Sequence, residues 1–396
     1  MFKQTFNIFN NTSSQTKLLL LMASFSTISF ATWNCLLNNY AVETLNFTGV
    51  EIGILHSIRE IPGLLAFSVV FVLMFIKEQK LAYLSILLLG FGIAFTGFFK
   101  GHMGFYITTV IMSVGFHYLE TIQSSLTLQW VDKKDTPVIL GKVMAMRSAS
   151  SLVTYALVWI FLELMNMPYE IIYALGGVAS ILSVIIIRIK FPIFNSINIQ
   201  KSGIILRKKY WLYYALTFMS GARRQIFMVF AGFMMVQKFG FSASSITLIY
   251  ILNHILNFFI APRIGQFIGR VGEKRALTIE YIGLIFVFTA YAFVSDRYVA
   301  AGLYIVDHLF FSMGISIKTY FQKIANAEDI AGSSAVSFTI NHIAAVIIPA
   351  LFGLIWSTSP EFVFLAGSGM ALISLFLSQM VPGVTNTNFD SQLSES

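Results

Sequence analysis

The sequence predicts an all-α, multi-pass membrane protein with twelve transmembrane helices in two bundles of six. Three observations carry this. The composition is too apolar for a water-facing surface, twelve apolar runs have spanning length, and the basic residues gather on alternate connections.

Of 396 residues, 57% are hydrophobic and 11% charged, with a mean hydropathy of +0.77. A water-soluble chain needs far more polar surface to cover itself. The 39 phenylalanines suit a lipid-facing exterior. The net charge of +8 is scattered over short segments between apolar runs, so it orients the chain in a bilayer and does not point to nucleic acid. A single cysteine, Cys35, forms neither an internal disulfide nor a cysteine-based metal site. The polar start, Met1 to Thr16, leads into an apolar segment too long for a signal peptide.

A helix needs about 20 mostly apolar residues to cross a bilayer. Runs of that kind fall at 17–39, 50–76, 80–99, 103–130, 137–165, 169–190, 210–237, 243–268, 275–295, 298–324, 331–356 and 361–381. The longest polar connection, 191–209, carries Lys201, Arg207, Lys208 and Lys209 and separates two sets of six. The expected organisation is therefore a bundle over 1–190, a cytoplasmic linker over 191–209 and a second bundle over 210–396.

With the amino terminus inside, eighteen Lys and Arg residues lie on cytoplasmic ends and loops, three (Lys100, Lys238, Arg297) on the other side, and five within spans. That asymmetry predicts both termini in the cytoplasm, in a cytoplasmic (inner) membrane. The halves also repeat. An offset of 191 carries His117 onto His308 and Gly141 onto Gly332, and an offset of 194 carries Phe47-Thr48 onto Phe241-Ser242.

Between the eighth and ninth spans lies Gly265-Gln-Phe-Ile-Gly-Arg-Val-Gly-Glu-Lys-Arg275. Gly265, Arg270, Gly272, Lys274 and Arg275 make this segment resemble the loop signature of the major facilitator superfamily, with Gly269 where the signature has an acid. The equivalent segment, Phe75-Ile-Lys-Glu-Gln-Lys80, keeps only the basic character. The resemblance implies alternating access of two bundles around a midplane site, with the loop as a gating element.

Charge inside a bilayer costs several kcal/mol, so embedded ionisable residues are candidate functional groups. The second span carries His56, Arg59 and Glu60 on one face; the fourth carries His117, Glu120 and Ser124, with Gln123 beside them. Arg147 is in the fifth, Arg223 and Arg224 in the seventh, Asn253, His254 and Asn257 in the eighth, and Asn341 and His342 in the eleventh. The first contributes Trp33, Asn34 and Asn38. The tenth contributes Asp307, His308 and Lys318; on an unbroken helix Asp307 and Lys318 share a face about 16 Å apart. Glu163 and Glu280 are expected nearer helix ends, and adjacent Arg223 and Arg224 point in different directions.

Two roles follow. Trp33, Asn34, Asn38, Arg59, Gln123, Arg147, Arg223, Arg224, Asn253, Asn257, Lys318 and Asn341 are candidate substrate ligands. A surplus of arginine suits an anionic group, because the guanidinium binds carboxylate or phosphate bidentately; arginines committed to acids of the protein are the alternative. His56, Glu60, His117, Glu120, Asp307, His308 and His342 are candidate proton carriers, with His117 and Glu120 as the leading pair. Any of these groups can equally tie helices together by hydrogen bonds. The histidines lack close HxxxH spacing, and no metal or other cofactor is expected. No nucleotide-binding loop and no HExxH or GxSxG motif occurs, which argues against ATP drive and against an enzyme. The expected activity is secondary transport of a small solute by a monomer, proton-coupled and directed towards efflux. An uptake permease for an organic anion and a transporter-like receptor or sensor are the alternatives.

Overall fold

In the computed structural model, residues 13–131, 136–194, 206–326 and 329–383 are described. Lys3, Lys133, Lys134 and Lys201, together with 195–205 of the linker, lie outside them. Among the described residues the secondary structure is helical and each of the twelve expected spans is a helix. The helices are α1 (Ser14–Asn39), α2 (Gly49–Leu64), α3 (Val69–Leu73), α4 (Glu78–Phe95), α5 (His102–Trp130), α6 (Thr136–Glu163), α7 (Tyr169–Lys190), α8 (Trp211–Gln225), α9 (Gly232–Gln237), α10 (Ala243–Val271), α11 (Glu273–Phe293), α12 (Arg297–Phe311), α13 (Ile315–Ile324), α14 (Ile330–Trp356) and α15 (Pro360–Gln379).

Local chemistry sets many ends. Thr48 caps α2 in a capping box with Glu51, whose carboxylate accepts from the Thr48 amide at 2.8 Å. Asp296 caps α12 by accepting from the amides of Tyr298 and Val299. Pro360 opens α15 at a position that needs no amide donor. The second span breaks just after Pro62, where a 3-10 turn, Ala66–Ser68, joins α2 to α3. A second 3-10 turn, Ser312–Gly314, divides the tenth span. Wider π turns continue α1 through Tyr40–Thr44 and join α8 to α9 through Ile226–Ala231.

Eight of the described spans are long and apolar enough to cross a membrane by length and composition. The remaining four, 50–76, 103–130, 210–237 and 243–268, contain most of the embedded His, Arg, Glu and Asn residues.

The chain divides into two compact units, Met1–Lys201 with Val236–His254, and Ser202–Met235 with Ile255–Ser396. In the first, Leu18, Leu81, Ile86, Leu119, Ile122, Leu126 and Val184 form the core among α1, α4, α5 and α7. Without water to drive association, such helices meet through small residues and short hydrogen bonds. A methyl at Gly90 would sit 2.8 Å from the Gly177 carbonyl oxygen, so α4 and α7 touch backbone to backbone. Ser180 bonds Ser29 at 2.6 Å and donates to the Phe25 carbonyl at 3.0 Å, tying α7 to α1.

The second unit uses the same devices. Thr289 and Ser368 join α11 to α15 at 2.7 Å, and the rings of Tyr213 and Phe321 stack with centroids 4.0 Å apart. Near its linker end Asp329 is buried and accepts from Arg207 Nε (2.8 Å) and the Tyr210 hydroxyl (2.7 Å), with Lys209 Nζ at 3.8 Å. Burial alone would push the Asp329 carboxyl up, but the bonds from Tyr210 and Arg207 and the charges of Arg207 and Lys209 outweigh it. The group is held below its ordinary value of 3.8.

Candidate functional site

The second unit encloses a charged centre built from three helices. Arg223 lies two residues before the end of α8, Glu280 two turns into α11, and Asp307 in the last turns of α12; all three are buried. Arg223 Nη1 is 3.8 Å from Glu280 Oε1, a charge contact too long for a hydrogen bond. The guanidinium also lies over the Tyr281 ring, 4.5 Å from its centroid. Asp307 lies within electrostatic reach of Arg223. Buried atoms without a hydrogen-bond partner cluster here: Arg223 Nε and Nη2, Glu280 Oε2 and Asp307 Oδ2.

This arrangement corrects two expectations. Glu280 is not a helix-end group; it is interior and faces Arg223. Asp307 and Lys318 do not share a face. The turn at Ser312–Gly314 winds at about three residues per turn and resets the helix phase, leaving Asp307 buried and Lys318 exposed. The divergence of adjacent arginines holds: Arg223 is buried, while Arg224 is exposed over the Phe311 ring at 5.2 Å.

In the first unit, Arg59 and Arg147 each meet a carboxylate. Arg59 donates to Glu60 through Nε (3.0 Å) and Nη2 (2.5 Å), and its guanidinium stands 5.8 Å from the Trp33 ring centroid. His56, one turn earlier, is buried with neither ring nitrogen hydrogen-bonded, and the Trp33 indole nitrogen also lacks a partner. Ser113 on α5 donates to the Arg59 carbonyl and fixes α2 against α5. Glu120 pairs with Arg147 at 2.5 Å, and the same guanidinium donates to Gln123 at 3.0 Å. Gln123 in turn donates to the Leu19 carbonyl at 3.0 Å, so this chain links α6, α5 and α1. The paired partner of Glu120 is an arginine from another helix, which spacing along α5 alone does not reveal.

An aromatic and amide cluster occupies a different part of this unit. Tyr155 on α6 lies 5.6 Å from the Tyr250 ring and 5.4 Å from the His254 ring, both on α10. Asn34 on α1 lies near Tyr155. Asn253 is buried and its Oδ1 has no partner. Cys35, also buried, lies by Thr247. The convergence of Tyr155 and Tyr250 with these polar groups is a tertiary fact that no periodicity within one span encodes.

The other candidates are dispersed. Asn38 is buried with its Oδ1 unpaired, and His117 lies against Phe116 at 5.2 Å. Asn257 accepts from Ser312 at 3.2 Å. Asn341 abuts Gly221, where a side-chain methyl would collide with its amide oxygen. His308 contacts Phe227 and His342 contacts Phe338 through their rings.

The signature segment is scarcely a loop. α10 continues to Val271, and only Gly272, with φ of 82°, separates it from α11. That left-handed conformation favours glycine. Gly265, Arg270 and Arg275 are exposed, and Lys274 donates to the Gln379 carbonyl at 2.7 Å. Glu273 pairs with Lys323 at 2.7 Å. A cavity of about 370 Å³ lies beside this pair, lined by Gly265, Gly269, Ile315 and Thr319 among others. Among the described residues no three His, Cys, Asp or Glu side chains converge on a metal-sized site.

Comparison with curated proteins finds no significant match. Solved transporters of similar fold include the nucleoside transporter NupG (TM-score 0.75, 13% identity, 93% of this chain and 99% of that one). They also include a D-xylose–proton symporter (0.70, 12%, 93% and 97%) and an inward-facing bacterial homologue of the iron transporter ferroportin (0.72, 12%, 93% and 99%). Identities this low establish a shared fold and no more. The Major Facilitator Superfamily profile matches residues 19–349. A match over most of the chain, joined to twelve helical spans and a repeat of six, settles the assignment: the protein belongs to the Major Facilitator Superfamily.

Proposed function

We propose that this protein is a secondary active transporter that couples the movement of a small solute to protons through Arg223, Glu280 and Asp307. It works by alternating access in the cytoplasmic membrane, with both termini on the cytoplasmic side. The skew of Lys and Arg towards one set of connections supports that orientation.

One observation carries the coupling: buried Glu280 lies 3.8 Å from buried Arg223, and a second buried carboxyl, Asp307, lies within reach of the same charge. With all three ionised, one negative charge would be left uncompensated in a dry interior, where an unpaired ion costs several kcal/mol. A proton on one carboxyl removes that charge and turns an unpaired oxygen into a donor. The site then exchanges one proton against a change in which carboxylate holds Arg223. Arg223 precedes the Ile226–Ala231 π turn, so a change of partner acts on a helix already irregular at that point. In the first unit, Arg59 faces Glu60 and Arg147 faces Glu120.

The test uses purified protein in proteoliposomes with labelled uridine, D-xylose and benzoate. An imposed pH difference should drive accumulation of at least one probe. Asp307→Asn and Glu280→Gln should each reduce that accumulation tenfold or more, while solute exchange without net proton movement persists. Accumulation that responds to the pH difference equally in wild type and both variants would overturn the assignment of these residues. Flux that ignores the pH difference would overturn proton coupling altogether.

A further inference from the structure

In the first unit, Tyr250, Asn253 and His254 lie on one face of α10, being three and four residues apart. Tyr155 from α6 sets its ring against two of them, 5.6 Å from Tyr250 at an interplanar angle of 61° and 5.4 Å from His254. Asn34 from α1 lies near Tyr155. Three helices thus converge on a set of rings and amides that contains no Arg, Lys, Asp or Glu. Tyr155 and Asn253 are 5% and 3% exposed, whereas Asn34 and His254 are half-buried and form its accessible edge. Asn253 Oδ1 is a buried acceptor with no donor from the protein, a costly state unless something else supplies one.

Elsewhere in the spans, Arg59, Arg147 and Arg223 each face a carboxylate of the protein, Glu60, Glu120 and Glu280. The guanidinium groups of Arg59 and Arg147 are held in close pairs, so an anionic solute would have to displace an internal partner at either.

We propose that Asn34, Tyr155, Tyr250, Asn253 and His254 form the solute site, and that it takes an uncharged, hydroxylated ring compound. This rests on the transporter reading given above. The aromatic faces cover the apolar side of a ring. The two side-chain amides offer both donors and acceptors to hydroxyl groups, and Asn253 Oδ1 accepts a hydroxyl proton. Concave, mostly apolar sites with a few placed polar groups are the usual form of small-molecule pockets. A sugar and a nucleoside share this chemistry, and separate probes distinguish them.

Equilibrium binding of labelled uridine, D-xylose and benzoate to the purified full-length protein in detergent tests the assignment. Uridine or D-xylose should bind and benzoate should not. Asn253→Ala and Tyr155→Leu should weaken that binding at least tenfold, with Tyr155→Phe weakening it less. Asn34→Ala, at a half-buried position, provides a second variant if a core substitution prevents folding. The proposal is overturned if benzoate alone binds, if neither uncharged probe binds, or if the folded variants bind with wild-type affinity. Binding of an uncharged probe that is never carried into proteoliposomes would instead overturn the transport reading and leave the site standing.

Discussion

Arg223 and Glu280 face each other at 3.8 Å with 4% and 3% of their side chains exposed. Removing one member of such a pair strands the other in a dry interior, at a cost of about 3–5 kcal/mol. Replacing both by uncharged residues of similar size is often close to neutral. Arg223→Met should therefore lower thermal stability in detergent strongly, and adding Glu280→Gln should recover part of the loss, with Asp307 still left without the guanidinium. Melting curves of the two single variants and the double variant measure the coupling. A double variant no more stable than Arg223→Met would show that the pair is not the source of the effect.

The pair between Arg147 and Glu120 is closer, at 2.5 Å, but about a third of each side chain is exposed. Solvent screening limits such a pair to about 1 kcal/mol or less. Glu120→Gln should leave the melting temperature nearly unchanged. Glu60→Gln should lower it more, because it leaves Arg59 charged at 10% exposure. Equal shifts would contradict burial as the controlling variable.

Backbone contact between α4 and α7 makes a steric prediction. A methyl at Gly90 already meets the Gly177 carbonyl oxygen at 2.8 Å, and one at Gly177 meets the Ala94 backbone. Overpacking of this kind costs about 1–3 kcal/mol or more. Gly90→Leu and Gly177→Leu should sharply reduce the yield of monodisperse protein on size-exclusion chromatography. Gly141→Ala, with nothing within 4 Å of the added methyl, should not.

Asp329 predicts a pH dependence. Its carboxyl is held below 3.8, so the contribution of the ionised group is present above that ordinary value and is lost as pH falls through the depressed one. The stability gap between wild type and Asp329→Asn should stay constant from pH 8 to about 5 and close only at pH values below 3.8. A gap that closes near pH 6 would point to a different titrating group.

The fold is legible in the sequence because its largest free-energy term is local composition. The apolar runs at 80–99 and 169–190 become Glu78–Phe95 and Tyr169–Lys190, since lipid fixes both the length and the polarity of a span. The split between Arg223 and Arg224 is legible for the same reason, as 100° per residue separates them on any helix. The interruptions are less so. Pro62 lies just before a break, yet Pro349 lies inside the unbroken α14, because neighbouring helices decide whether a freed carbonyl is tolerated. The partners of Glu120 and Arg223 come from other helices, and no periodicity within one span encodes that choice. Glu280 could have been singled out by the general expense of a carboxylate in lipid, had its depth in the helix been known.

The π turns have a consequence for the phase of each helix. One extends the first span of the first half, at Tyr40–Thr44, and the other interrupts the first span of the second half, at Ile226–Ala231. Their starts are 186 residues apart, close to the 191 and 194 offsets of the sequence repeat. A π turn accommodates one residue more than an α turn in the same rise. Everything after it is therefore rotated by about 100° from where a plain α-helix would carry it. The turn in the seventh span separates Arg223 and Gln225 from Phe233, all of them buried. In the seventh span the extra residue thus works as an angular spacer between a charged level and an aromatic one.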